Sequence, residues 1–125
     1  MTWFDGVDGW TRVCPLVCLE VERGVAALVA DEQVALVRTA DGSVHAVSHH
    51  DPVSGANVMA RGLIGSATVA GREVATLISP MYKESYDLAT GRGVSNPAVS
   101  LRTWDVRIEE GWVEVRSRRD ETEAG

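Results

Sequence analysis

The sequence predicts a small all-β protein, built as an antiparallel sandwich or barrel. Two observations favour this fold class. Short runs in which apolar and polar residues alternate recur along the chain, and turn-forming residues separate them. In addition, no long window has the 3.6-residue apolar spacing of an amphipathic helix, because glycine or proline interrupts most candidates.

The first strands follow one another through two tight turns. Residues 25–30 and 33–38 form a predicted hairpin around Asp31-Glu32. The pair Asp41-Gly42 then forms a second predicted turn, since this dipeptide favours tight hairpin connections. Residues 44–48 alternate apolar and polar side chains, as expected of a half-buried strand.

The second half of the chain repeats the pattern. Residues 72–78 and 99–108 alternate as strands, and Glu110-Gly111 turns the chain into a last strand at 112–116. Trp104 and Trp112 are therefore expected in this final hairpin. Only residues 15–21 leave room for a single helical turn.

Composition indicates one domain, expected at residues 1–116, followed by a disordered charged tail at 117–125. The chain of 125 residues carries a net charge of −6, which argues against a nucleic-acid partner because phosphate binding needs a clustered basic surface. The N-terminus lacks the basic and apolar segments of a secretory signal. No apolar run approaches the ~20 residues of a membrane helix, so we expect a cytoplasmic protein that binds no membrane.

The sequence contains no strong catalytic or cofactor motif, so no catalytic residue is predicted. Cys14 and Cys18 could supply half of a zinc site, completed by His45, His49 or His50, with Asp51 as a further oxygen ligand. The alternative is that the cysteines are small buried side chains and the histidines belong to a polar loop edge. Both interpretations stay open at this point.

Two loops carry the most specific pattern in the chain. The first reads Asp-Pro-Val-Ser-Gly-Ala at 51–56, and the second reads Ser-Pro-Met-Tyr at 79–82, followed by Tyr-Asp-Leu-Ala-Thr-Gly at 86–91. They resemble the cluster-binding loops of Rieske iron–sulfur domains, Cys-x-His and Cys-x-x-His, in which two cysteines hold one iron and two histidines the other. Every ligand position is substituted, and the four residues found there are Asp51, Val53, Ser79 and Tyr82.

This ligand-free version is similar to the small subunit of assimilatory NAD(P)H-dependent nitrite reductase. The resemblance implies a Rieske-like fold with no bound cluster or other cofactor. It also implies a large-subunit partner that carries flavin, sirohaem and an iron–sulfur cluster and reduces nitrite to ammonia. NADH and NADPH remain equally open. The residues expected to dock on that partner are Pro52, Ser54, Pro80, Met81 and Lys83.

The vacated cluster position raises a packing question, because an unfilled space would be destabilising. We expect Tyr82, Met81, Val53 and Val58 to fill it, with the Tyr82 hydroxyl bonded to Asp51 or to nearby backbone.

Two alternatives for the whole chain remain open. It could be an electron-transfer protein with a variant metal site, or a Rieske-fold accessory module of another oxidoreductase. Trp3 and Trp10 are predicted either to anchor a partner or to pack in the core.

Overall fold

The computed structural model describes residues 9–81 and 83–117, and within them the chain forms nine β-strands. Its helical elements there are two three-residue 3-10 turns, Leu16–Cys18 and Met59–Arg61. In this part of the chain no helix has the length and apolar character needed to cross a membrane. The strands are β1 (Thr11–Pro15), β2 (Arg23–Val29), β3 (Glu32–Arg38), β4 (Val44–Ser48), β5 (Leu63–Val69), β6 (Arg72–Ile78), β7 (Ser85–Asp87), β8 (Thr103–Glu109) and β9 (Trp112–Ser117).

Six of the strands form one antiparallel sheet in the order β1-β9-β8-β4-β3-β2. The two edge strands, β1 and β2, also contact each other, so the sheet nearly closes into a barrel. The barrel interior is filled by alternate residues of several strands, because successive side chains of a strand point to opposite faces. This first core consists of Val13, Leu19, Val29, Val34, Leu36, Ala46, Trp104, Val113 and Val115.

The remaining strands form a small antiparallel sheet in the order β5-β6-β7, which packs on the outside of the barrel. Strand β3 serves both cores: Val34 and Leu36 face the barrel interior, whereas Ala35 and Val37 face the small sheet. This position explains why β3 is apolar on both faces. The second core consists of Ala35, Val37, Val47, Met59, Leu77, Tyr86, Leu88 and Leu101.

The predicted all-β antiparallel architecture is confirmed, with one correction to a turn and three strands, β1, β5 and β7, that were not predicted. The β2–β3 turn consists of Ala30 and Asp31, with φ values of 48° and 68°, and Glu32 already belongs to β3. Such two-residue turns need positive φ at both positions, which an aspartate tolerates well. Strand β5 was not predicted, although the Ala70-Gly71 turn that follows it has the same geometry.

The proposed docking role of Trp10 is wrong, because only 9% of Trp10 is exposed. Two guanidinium groups contact its ring, with Arg107 at 4.5 Å and Arg116 at 4.6 Å from the ring centroid. Such cation–π contacts stabilise the outer face of β8 and β9. Trp3 lies outside the described residues. Strand β9 includes Ser117, and residues 118–125 of the predicted tail also lie outside them.

Candidate functional site

The two loops singled out in the sequence have the same backbone hydrogen bonds. In loop 1 (residues 51–56), the Asp51 amide donates to the Ala56 carbonyl at 2.8 Å, and the Gly55 amide donates back to the Asp51 carbonyl at 2.8 Å. In loop 2 (residues 79–84), the Ser79 amide donates to the Glu84 carbonyl at 2.9 Å, and the Lys83 amide donates back to the Ser79 carbonyl at 3.1 Å. The loops are therefore two copies of one turn design, placed after β4 and after β6.

The first side chain of each loop also holds its own loop. Asp51 Oδ1 accepts the Val53 amide at 2.9 Å, and Ser79 Oγ accepts the Met81 amide at 3.2 Å. Both interactions span two residues, the spacing of Asx and Ser/Thr turns. Asp51 and Ser79 thus each carry an acceptor for the backbone N–H two residues further on.

A buried hydrogen bond joins the two loops directly. The Ser79 hydroxyl donates to Asp51 Oδ2 at 2.5 Å, and the two residues are only 1% and 0% exposed. Hydrogen bonds between a hydroxyl and a carboxylate are short and strong when they are buried. Asp51 and Ser79 match the two cysteine positions of the Rieske pattern, so this bond connects the places where both thiolates would lie.

The local environment sets the charge of this pair. Burial by itself would raise the pKa of the Asp51 carboxyl, but the hydrogen bonds from Ser79, the Val53 amide and Ser54 outweigh burial. The pKa of Asp51 therefore lies below its ordinary value, and the group is an anion at neutral pH. A buried carboxylate that accepts several hydrogen bonds fixes both loops in one arrangement.

Tyr86, on β7, lies fully buried close to this pair. Burial, followed by the negative charges of Asp51 and Glu84, raises the pKa of the Tyr86 hydroxyl to about 12. Its oxygen has no hydrogen-bond partner among the described residues. Tyr86 therefore stays protonated and acts mainly as a large side chain of the core between the two sheets.

The turn after β7 repeats the loop design a third time. The Asp87 amide donates to the Arg92 carbonyl at 2.9 Å, the Gly91 amide donates to the Asp87 carbonyl at 2.6 Å, and Asp87 Oδ1 accepts the Ala89 amide at 2.8 Å. Gly91 has a φ of 80°, and a Cβ there would overlap the Leu101 carbonyl oxygen. The geometry of this turn thus explains the first and last residues of the Asp-Leu-x-Thr-Gly segment, Asp87 and Gly91.

His49 is a structural residue that ties loop 1 to the turn that follows it. The ring is 7% exposed, and its Nδ1 accepts the Ala60 amide at 3.0 Å. Burial, together with the nearby positive charge of Arg61, lowers the pKa of His49. An accepting Nδ1 requires the neutral ring with its proton on Nε2.

The loop tips point outward. Pro52, Pro80 and Lys83 are exposed, and Ser54 is half-buried with its Oγ accepting the Ala56 amide at 3.2 Å. All of these were predicted to lie in docking loops, together with exposed Met81. The structure therefore leaves the tips accessible to a partner.

The prediction that Val53 and Met81 fill the vacated space is wrong, because they are 45% and 49% exposed. Val58 is half-buried, and fully buried Met59 lies in the core instead. The hydrogen bond predicted between Tyr82 and Asp51 falls on a residue outside the described ones. Sequence reasoning missed the Asp51–Ser79 contact, although both residues match ligands of the same iron and must therefore be neighbours.

The zinc hypothesis receives no support from the placement of its residues. In residues 9–81 and 83–117, no group of three or more His, Cys, Asp and Glu side chains could hold a metal ion. Cys14 packs against the barrel core from β1, whereas His49 bonds to Ala60 and His50 lies 3.2 Å from the Asn57 side-chain oxygen. The alternative of a polar loop edge describes His49 and His50 better.

The residues at the loop positions do not fit a [2Fe–2S] cluster. Val53 has no donor atom, and Ser79 and Asp51 are 2.5 Å apart. Two ligands of one tetrahedral metal ion lie about 3.3–3.8 Å apart, given bonds of about 2.0–2.3 Å. The hydrogen bond thus occupies the space in which an iron atom would have to lie.

Comparison with known proteins shows consistent likeness over the described domain. Residues 9–116 match a family model described as a Rieske-like [2Fe-2S] domain. The nitrite reductase (NADH) small subunit of Escherichia coli is 32% identical over 112 residues, which cover 86% of this chain and 96% of that protein. The nitrite reductase [NAD(P)H] large subunit of Klebsiella oxytoca is 34% identical over 110 residues, which are 88% of this chain but only 11% of that protein.

Solved structures agree. A structure described as an NADH-dependent nitrite reductase small subunit from Mycobacterium tuberculosis superposes with a TM-score of 0.76 at 39% identity, covering 92% of this chain and 96% of that one. The ferredoxin of carbazole 1,9a-dioxygenase from Nocardioides aromaticivorans superposes with a TM-score of 0.73 at 21% identity, covering 89% of this chain and all of that one. The second likeness concerns the fold alone.

Proposed function

The chain belongs to the Rieske-like domain family and, within it, to the small subunits of NAD(P)H nitrite reductase, and on that premise we propose a non-catalytic role in nitrite reduction. In this role it supports a large subunit that reduces nitrite to ammonia with electrons from NADH or NADPH. The resemblance seen in the two loops is thereby confirmed at the level of the family.

The partner proposed is the nitrite reductase large subunit. The Klebsiella oxytoca relative supports this choice, because a segment similar to the present domain forms 11% of a protein named as the large subunit. A domain that is a separate chain in some proteins and is fused to a larger chain in others commonly binds that larger chain when it is separate. An NAD(P)H-dependent assimilatory enzyme would place both subunits in the cytoplasm.

We propose that this chain holds no cofactor and that flavin, sirohaem and iron–sulfur cluster belong to the large subunit. The observation that supports the first part is the buried Ser79–Asp51 hydrogen bond, which replaces two ligand positions by a direct link between the loops. Each residue of that pair also accepts a backbone amide of its own loop, Asp51 through its other oxygen, Oδ1, and Ser79 through Oγ. The chain's own residues therefore hold the loop shape without a metal.

The loop tips are the proposed contact with the large subunit. Val53 and Met81 follow Asp51 and Ser79 by two residues each, so the buried bond brings two exposed apolar side chains to one end of the domain. Exposed Pro52 and Pro80 extend this apolar surface and stiffen it. Rigid apolar tips are suited to protein contact, because they lose little conformational freedom on binding.

The test is NAD(P)H-dependent nitrite reduction by the purified large subunit with and without this chain. We expect the chain to raise the activity of the large subunit or its stability and to co-elute with it. A double variant, Val53→Asp with Met81→Asp, should weaken co-elution, whereas Glu109→Gln with Glu110→Gln on the exposed β8–β9 hairpin should not. If the large subunit is fully active alone and does not bind this chain, family membership would describe only the fold of the chain and not its role. Metal content and a visible spectrum would then test the electron-transfer alternative.

A further inference from the structure

Strand β5 presents an open edge to the surface. It pairs with β6 on one side, and no described residue pairs with its other side. Its sequence, Leu-Ile-Gly-Ser-Ala-Thr-Val, contains no charged residue and no proline. Leu63 is 71% exposed and Val69 is 38% exposed. An edge of this kind is a template for pairing with another strand.

The other sheet edges among the described residues are each protected. Strand β1 has a bulge between Arg12 and Cys14 and ends in a proline. Strand β2 is covered by the second 3-10 turn, and β7 is only three residues long, with Tyr86 bridged to Gly93. These are the devices by which proteins prevent unwanted strand pairing. Strand β5 has none of them, so its open edge is a specific feature of this surface.

An acidic groove lies beside the same strand. Its volume is about 450 Å³, and it opens where the small sheet separates from the β3–β4 turn. Residues of β5 and β6 line it, together with Glu22, Asp41 and Glu73. Among the described residues, none of these three acids forms a salt bridge with a lysine or arginine, and the Asp41 carboxylate accepts the Thr39 hydroxyl and the Ser43 amide. The groove therefore favours a cationic neighbour.

We propose that the outer edge of β5 binds an extended, lysine- or arginine-containing segment of the large subunit as a fourth strand of the small sheet. Backbone hydrogen bonds would supply affinity, and basic side chains of that segment would reach the acidic groove. This proposal rests on the proposed function, since it names the partner given there.

Two observations favour this occupant over a second copy of the chain. Pairing of β5 with β5 of a second copy would bring together two acidic grooves on chains that each carry a net charge of −6. Moreover, Leu63 pairs with Ile78, the residue that precedes Ser79 of loop 2. A segment bound at the loop tips could therefore continue along β5 to the groove.

Hydrogen exchange of the β5 backbone amides tests the pairing. In the free chain, the amides of β5 that point away from β6 should exchange quickly, and addition of the purified large subunit should slow them at least about tenfold. Fast exchange in the complex would overturn the proposal. So would slow exchange in the free chain, and light scattering would then show whether a second copy covers the edge.

Proline substitution tests the same edge by affinity. Neighbouring amides of a strand point to opposite sides, so one of Ser66→Pro and Ala67→Pro removes an outward N–H without loss of an internal hydrogen bond. The variant that keeps the wild-type melting temperature should bind the large subunit about tenfold more weakly. Unchanged affinity of that folded variant would contradict the proposal.

Matched charge variants test the contribution of the acidic groove to binding of the large subunit. Glu22→Gln with Glu73→Gln should weaken binding and reduce its salt dependence, whereas Glu109→Gln with Glu110→Gln should leave both unchanged. If wild-type chain does not bind the large subunit at all, both this proposal and the proposed function fail. If it binds and only the loop-tip variants weaken binding, the present proposal alone fails.

Discussion

The Ser79 hydroxyl and the Asp51 carboxylate form a buried 2.5 Å hydrogen bond between residues 28 positions apart in the chain. Asp51 lies in the loop after β4 and Ser79 in the loop after β6, and each accepts an amide of its own loop, so the bond couples the large sheet to the small one. In a metal-containing relative of this fold, an iron atom would provide such a link. Here two side chains provide it, and they need no cofactor to do so.

Removal of the Ser79 hydroxyl should destabilise the protein. Ser79→Ala leaves the buried Asp51 carboxylate with fewer donors, and a hydrogen bond to a charged group contributes about 2 kcal/mol. We therefore expect the free energy of unfolding to fall by roughly that amount, measured by urea denaturation followed by tryptophan fluorescence. Ser95→Ala removes an exposed serine hydroxyl bonded to Glu84 and serves as the control, with an expected change below about 0.5 kcal/mol. Equal effects of the two variants would refute a special role for the buried bond.

His49 should make the stability depend on pH near neutrality. Its pKa is lowered in the folded state, chiefly by burial, so the unfolded state takes up protons first as pH falls. Stability should therefore decrease below about pH 6.5, the unfolded-state value, and level off once pH is below the folded-state pKa. The difference in unfolding free energy between wild type and His49→Asn, measured from pH 8 to pH 5, isolates this contribution. His50→Gln is the control and should keep the wild-type profile. If the pH dependence were lost in that variant, His50 and not His49 would be its source.

The matching loop positions Gly55 and Lys83 should respond oppositely to substitution. Both are left-handed, with φ values of 79° and 62°, and no atom lies within 4 Å of a Cβ placed on Gly55. Gly55→Ala should therefore cost about 1 kcal/mol through the backbone alone. Lys83→Gly should gain up to about 1 kcal/mol, since relief of the left-handed conformation exceeds the added flexibility of the unfolded chain.

Lys83→Ala separates backbone from side-chain effects at the same position. This variant keeps the free-energy cost of a left-handed backbone at a residue with a Cβ, and it removes the ammonium group. Its unfolding free energy should therefore stay near the wild-type value. Urea denaturation of the three variants side by side gives the comparison. A stabilising Lys83→Ala would mean that the side chain, and not the backbone, is the source of the strain.

Placing cysteine and histidine at the four positions that match the Rieske ligands should permit at least partial cluster uptake if the loops have Rieske geometry. The variant Asp51→Cys, Val53→His, Ser79→Cys and Tyr82→His places two thiols where the buried hydrogen bond now lies. Anaerobic reconstitution with iron and sulfide should then give a coloured protein with a visible absorption band. The triple variant without Val53→His lacks one ligand and should take up much less iron. A folded but colourless quadruple variant would show that the loops have moved out of register.

Much of this fold follows from local patterns, which is why the sequence predicted it. Alternation along β4 and β6 placed both strands at their observed bounds, because one face of each is covered by the core. The Glu110-Gly111 turn followed from backbone preference, since positive φ is needed at both positions. Strand β5 was not predicted because apolar and polar residues alternate only weakly in its small, uncharged sequence. Its strand conformation depends on pairing with β6.

Local sequence patterns were sufficient for most of the strand-and-turn framework and for the family. Which side chains meet and which stay exposed depended on the packing of the whole domain. Asp51 reaches Ser79 because the registers of two sheets bring two distant loops together, and Val53 and Met81 stay exposed because nothing in the described chain covers the tips. Trp10 is buried for the same reason: Arg107 and Arg116 come from two other strands to cover its ring. Such contacts depend on the packing of distant segments, which local periodicity and turn preference do not encode.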